Sequence, residues 1–221
     1  MKQIFKAVSV TTILLMAGKL LGFVREAFIA SYFGASKLTD MYFVASMIPT
    51  LMFTAVGLAI SSGLMPRYIE ERNLNEEKAS EMMSVMATFF FAASIGVTLI
   101  AFLFVPIITR FVAPGFGPEE TKMTARLIRI MIPGFCFYVL SGVAKGVLQA
   151  HKKFASPAAI AIPHNVVIIL FIILTTSRYG IVGLTVGTLL GVVSEFLIQV
   201  PQLLKCHIRF NVSFKKYWPM M

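Results

Sequence analysis

The sequence predicts an all-α, polytopic membrane protein of six transmembrane helices, and three observations carry that prediction. Hydrophobic residues make up 57% of the 221 and charged residues 14%, whereas a soluble domain holds about 25% charged residues. The mean hydropathy is +0.83, and a chain of this length cannot hide so much apolar surface inside a water-soluble core. Finally, the apolar residues are gathered in six long continuous runs, each able to cross roughly 30 Å of hydrocarbon as a helix. They lack the ten-residue alternation of an outer-membrane barrel. Disorder, coiled coil, disulfide scaffold and soluble enzyme are excluded on the same grounds.

The runs fall at 4–33, 41–65, 82–108, 123–149, 157–176 and 181–204. The first opens on Lys2 and Lys6 like a secretory signal. Apolar residues resume after Lys19, however, and no A-x-A site follows, so the run is expected to stay as a helix. Gly18 and Gly22 give it a GxxxG packing face. The polar stretch 67–81 between the second and third runs reads as a solvated loop, with its glutamates on the surface. The third run stops at Ala113-Pro114-Gly115-Phe116-Gly117-Pro118, a dense group of helix breakers. The fourth carries a polar stripe of Tyr138, Gly142, Lys145 and Gln149. In the fifth, Pro163-His164-Asn165 predicts a kink near mid-span. The sixth places Gly183, Gly187, Gly191 and Glu195 on one line, so Glu195 should face protein and not lipid. Residues 1–204 are thus expected to form one six-helix lobe. Residues 205–221, with Lys215, Lys216 and Trp218, are expected to form a cytoplasmic or interfacial segment.

Twenty Lys and Arg against ten Asp and Glu give a net charge of +10. No RNP, zinc-finger or helix-turn-helix context accompanies the cations, so nucleic acid is not an expected partner. Their distribution instead orients the helices. Lys2, Lys6, Arg67, Arg72, Lys78, Lys152, Lys153, Lys205, Arg209, Lys215 and Lys216 fall on one side of the predicted topology. That side, with both termini, is expected to be cytoplasmic.

Ionisable groups within a bilayer cost about 2.5–3.5 kcal/mol each on insertion scales, which makes every one a candidate for function. In the first run, Lys19 and Glu26 share a helix face and Arg25 lies about 120° from Lys19. They read either as a charged wall of an internal cavity or as a neutralised Arg–Glu pair holding helices together. Asp40 reads as an N-cap or as a partner for a cavity cation. Lys145 either snorkels to the interface or lines a cavity. Asn165, with His164, either satisfies a carbonyl freed by Pro163 or meets a ligand. Glu195 either pairs with a helix cation or takes part in proton coupling. No Ser/His/Asp set, HExxH or P-loop is present, so neither catalysis nor ATP-driven transport by this chain is expected. Cys136 and Cys206 lack the spacing of a metal or redox pair, and no cofactor is expected.

Gly18-Lys19-Leu20-Leu21-Gly22-Phe23-Val24-Arg25-Glu26, Phe33-Gly34-Ala35-Ser36, Thr39-Asp40 and Phe43-Val44-Ala45 resemble the opening of the MurJ/MviN family. These are lipid II flippases of the MOP (MATE-like) superfamily. Further likenesses follow in order: Ala113-Pro114-Gly115-Phe116, then Gly146-Val147-Leu148-Gln149-Ala150 with Phe154 and Pro157, then Pro163 with Asn165, and Gln199 with Pro201. The resemblance implies one lobe of a two-lobed bundle around a cationic cavity. It also implies a bacterial cytoplasmic membrane setting and transport, by alternating access, of a polyprenyl-pyrophosphate-linked sugar such as a peptidoglycan precursor. Partners would be that lipid-linked glycan, membrane lipids and a second lobe. Arg25 matches a cavity arginine of the family and Asp40 its acidic residue. Lys19 stands where an arginine is usual, keeping the charge but losing the bidentate fork for phosphate. Lys19, Arg25, Glu26 and Asp40 are therefore the expected substrate-binding residues; Lys145, Asn165 and Glu195 are expected in the cavity or in coupling. The family's Arg-rich turn in the second helix has no counterpart, since 41–66 contains no Lys or Arg. That departure keeps open an exopolysaccharide or multidrug exporter of the same superfamily. A non-transporting membrane scaffold is the reading from a different class.

Overall fold

The computed structural model describes residues 2–206, which are helical almost throughout; among them there is no strand. The interfacial segment expected over 205–221, with Lys215, Lys216 and Trp218, lies from residue 207 onward outside the described residues. The helices are α1 (Lys2–Phe33), α2 (Lys37–Ala59), a π-helical turn (Ile60–Leu64), α3 (Met65–Leu74) and α4 (Glu76–Val112). They continue with α5 (Pro118–Met131), α6 (Gly134–Ala150), α7 (Ala155–Ala159), α8 (Ala161–Tyr179), α9 (Ile181–Leu197) and α10 (Val200–Leu204).

Each reversal has a local cause. At the first, Gly34 takes φ +62°, which only glycine adopts without strain, and the Ser36 hydroxyl caps α2 by accepting from the Thr39 N–H at 3.4 Å. Asn75 caps α4 through the Lys78 N–H at 2.9 Å. The Glu120 carboxylate accepts from the Gly117 N–H at 2.8 Å and opens α5. Gly180, at φ +54°, turns α8 back into α9. The turns at 34–36, 113–117 and 180 lie at one end of the bundle, and those at 75, 151–154 and 205–206 at the other.

Among the described residues, five helical segments are long and apolar enough to cross a membrane: Lys37–Leu74, Glu76–Val112, Pro118–Ala150, Ala155–Tyr179 and Ile181–Leu204. The expected sixth, α1, has ample length but is not one of the five. Three further expectations are corrected. The stretch 67–81 is helical except at Asn75, because its Glu, Lys and Arg residues are good helix formers and its apolar members Tyr68 and Ala79 are buried. The fourth run breaks at Ile132–Pro133 into α5 and α6. The fifth breaks at Ile160, and Pro163 sits in the first turn of α8, where a missing N–H leaves nothing unsatisfied.

Packing gathers into two apolar clusters. One joins Ile29, Tyr42, Ile48, Val105, Leu127, Ile128, Ile168, Ile172 and Leu184, from α1, α2, α4, α5, α8 and α9. The other joins Leu64, Tyr68, Met82, Met83, Val147, Leu148 and Cys206 towards the opposite end. The glycine line of α9 lies against α8: a Cβ at Gly187 would stand 2.4 Å from Phe171 Cβ, and one at Gly183 2.1 Å from Thr175 Oγ1. The GxxxG of α1 meets the start of α8, where a Cβ at Gly18 would stand 2.8 Å from Ala161 Cβ. Small residues thus set helix spacing in α1 and α9, as expected.

Candidate functional site

Six helices, α1, α2, α5, α6, α8 and α9, leave a cavity of about 180 Å³ beside the first cluster. Arg25 enters it from α1, and Tyr42, Ser46 and Thr50 from α2. Tyr138 comes from α6, His164 from α8 and Thr188 from α9. Met131 at the end of α5 and Val192 close the apolar side. The positions follow from helix periodicity: Tyr42, Ser46 and Thr50 recur every four residues and present one face.

Arg25 is the only Lys or Arg among the lining residues. One end of its guanidinium pairs with the Glu26 carboxylate. Its Nε is buried without a hydrogen-bond partner among the described residues, and an unmet charged donor at a cavity wall is a standing demand for an acceptor. Across the cavity, the Thr188 hydroxyl donates to the Leu184 carbonyl at 3.0 Å, so the buried Tyr42 hydroxyl donates to Thr188 Oγ1 at 2.9 Å. The Tyr138 ring stacks on Phe53, centroids 5.7 Å apart. His164 Nδ1 stands 2.8 Å from Glu195 Oε1, off the direction of a hydrogen bond; both side chains are largely buried. The walls therefore offer one fixed cation, a His–Glu pair and several hydroxyls. Such a set can hold an anionic oxygen, with the remaining surface polar but neutral.

The residues singled out from sequence are scattered by the fold. Arg25 and Glu26 are joined, and only Arg25 lines the cavity. Lys19 is exposed elsewhere on α1. Asp40 is not the N-cap, a place taken by Ser36; it is exposed in the first turn of α2, where a carboxylate suits the helix dipole. Lys145 is exposed on α6. Asn165 is buried and ties two helices: its Nδ2 donates to the Gly18 carbonyl at 3.2 Å and to the Ala161 carbonyl at 2.7 Å. Glu195 lies behind the lining, against His164. Sequence reasoning passed over Tyr42, Thr188 and the pairing role of His164; of the polar stripe it marked in the fourth run, Tyr138 alone lines the cavity. A signal for His164 existed: the glycine line of α9 ends in Glu195, and His164 is the titratable side chain at the near end of the facing helix.

The chain is similar in sequence and fold to known proteins. The lipid II flippase MurJ of Thermosipho africanus is 29% identical over 195 residues, covering 88% of this chain and 40% of that protein. The probable lipid II flippase MurJ of Buchnera aphidicola from Acyrthosiphon pisum is 28% identical over 218 residues, covering 96% and 43%. A solved lipid II flippase MurJ in its inward closed conformation superposes with a TM-score of 0.79 at 25% identity, covering 95% of this chain and 44% of that one. The fold, though not function, is also shared with a MOP superfamily transporter from Pyrococcus furiosus, at a TM-score of 0.70 and 16% identity. The chain thus spans under half the length of these relatives. The sequence model of the lipid II flippase MurJ family runs from residue 29 to 219, through most of the helices that wall the cavity, and this chain belongs to that family.

Proposed function

We propose that the chain acts as one lobe of a flippase that moves an anionic, polyprenyl-pyrophosphate-linked sugar resembling lipid II across the membrane. Its apolar helices and its family make it an integral protein of the bacterial inner membrane. The observation that carries the reading is Arg25: a charged donor, buried at Nε and unmet among the described residues, on the wall of a cavity between helices. A pyrophosphate oxygen supplies the missing acceptor. At about 180 Å³ the cavity is smaller than the roughly 300–1,000 Å³ of ordinary ligand pockets. It suits the phosphate end of a large amphiphile, with the sugars accommodated against a second lobe. Transport by alternating access needs two such lobes, so a second lobe is the proposed partner. Binding and movement, without bond cleavage, are the proposed activity. The end that carries Arg72, His151 and Lys153 is proposed to be cytoplasmic, together with both termini.

The test is rescue of cells depleted of their own lipid II flippase, with the chain expressed alongside the remaining lobe of a relative. Rescue is expected with the wild type and lost with Arg25→Ala. Full rescue by Arg25→Ala would overturn the role assigned to that side chain. A second reading, a flippase for a different lipid-linked glycan such as an exopolysaccharide precursor, is favoured by the neutral α2 wall. Binding of that glycan without rescue of lipid II transport would select it.

A further inference from the structure

A second cavity, sharing no lining residue with the first, opens where α4 ends and α5 begins. It measures about 750 Å³ and is walled by Pro106, Phe116 and Pro118 with three cations, Arg110, Lys122 and Arg129. Lys122 pairs with Glu119 at 2.8 Å, an exposed contact worth little. Among the described residues no carboxylate pairs with Arg110 or Arg129. The Arg129 guanidinium lies 5.9 Å from the centroid of Phe102, a favourable contact that leaves its N–H groups without an acceptor.

Depth gives these cations their meaning. Arg129 is eleven residues beyond Pro118, about 16 Å down the helix axis at 1.5 Å per residue. Phe102, beneath it, is eight residues before Arg110, about 12 Å. The cations therefore descend from the turn at 113–117 towards the hydrocarbon. Beside them α4 exposes Leu99, Leu103, Ile107 and Phe111, the last at 83%, a face suited to acyl chains. A cation at such depth is costly unless it snorkels or finds an anion. A ligand that serves both parts carries phosphate above and alkyl chains below.

We propose that the α4–α5 cleft binds the phosphate headgroup of an anionic phospholipid in the leaflet at that end of the bundle. Arg110 and Arg129 hold the phosphate from above and below, and the chains lie along the exposed face of α4. The site does not depend on what the central cavity carries. A free phosphate ion would satisfy the cations but leave the apolar wall unused.

The experiment is native mass spectrometry of the purified chain, titrated with phosphatidylglycerol or with phosphatidylcholine of identical chains. Arg110→Gln/Arg129→Gln is compared with Arg178→Gln, an exposed cation at the same end but outside the cleft. Phosphatidylglycerol is expected to bind about tenfold better than phosphatidylcholine. That preference should vanish in the double variant and persist in Arg178→Gln. Equal binding of the two lipids would overturn the proposal, as would an equal loss in Arg178→Gln, which would mark diffuse attraction. Displacement of phosphatidylglycerol by millimolar inorganic phosphate alone would assign the cleft to the free ion instead. Both arginines are exposed, so the single variants Arg110→Gln and Arg129→Gln give the same readout if the double variant does not fold.

Discussion

His164 Nδ1 lies 2.8 Å from Glu195 Oε1, and that contact joins α8 to α9 directly behind the cavity wall. The pair extends the Gly183–Gly187–Gly191 line, along which α9 packs closely on α8. Removing one partner leaves the other nearly buried and uncompensated. His164→Ala and Glu195→Ala should each destabilise the chain in detergent, while the double variant loses less than their sum. A coupling of about 1–2 kcal/mol is expected. Additive losses in thermal denaturation would show that the contact does not hold the helices.

Glycine substitutions should divide by position. Gly187→Ala puts a methyl 2.4 Å from Phe171 Cβ, and overpacking of this kind costs about 1–3 kcal/mol. Gly96, inside α4, has nothing within 4 Å of a built Cβ. Gly96→Ala should be neutral or stabilise by up to about 1 kcal/mol through helix propensity. The midpoint temperatures of the two variants check the contrast.

Asn165 is expected to act as a tie between α1 and α8, since its amide reaches carbonyls of both helices. Asn165→Ala should lower stability by about 1 kcal/mol, in line with hydrogen bonds between membrane helices. Hydrogen exchange should rise around Gly18 on α1 while α9 stays protected. Uniform exchange across the bundle would contradict a local tie.

Acid should weaken the end of the bundle that holds His151. Burial pushes this imidazole below its ordinary value of 6.5, and the nearby Arg72 and Lys153 add to the effect. The Val147 carbonyl and Glu76 oppose it. With the folded value depressed, the unfolded chain takes up the proton first. The stability is therefore complete above 6.5 and is lost as pH falls through the folded value. His151→Gln should flatten the decline of Tm on that acid side. An unchanged slope would place the acid sensitivity in other groups.

The helical membrane class was legible because composition and run length report on the solvent directly. So was the orientation of α9, since a small-residue line has one physical use. Helix breaks were less legible. Pro163 looked like a kink, yet a proline is harmless in a first turn, and only the packing of Ala161 against Gly18 shows where α8 starts. Charge placement was the least legible. Lys19 and Arg25 look alike in sequence, but the rotation of α1 exposes one and sets the other in the cavity. Hydroxyl-bearing residues such as Tyr42 and Thr188 gave no signal alone, because their meaning arises when two distant helices bring them within 2.9 Å.

The π-helical turn at Ile60–Leu64 has a consequence for the phase of the long helix that contains it. At about 100° per residue, Tyr68 would lie 27 residues and half a turn out of phase with Met41, pointing away from the core that Met41 joins. A π turn carries one surplus residue, which takes back about 100° and returns Tyr68 to the inner side, where both residues are buried. The run therefore contains one amino acid that its angular bookkeeping can do without. Deleting Ser62, which is exposed in that turn, should regularise the helix and leave Tyr68 inside. Deleting Ala55 in α2 should rotate everything between it and the turn by about 100° and unfold the bundle.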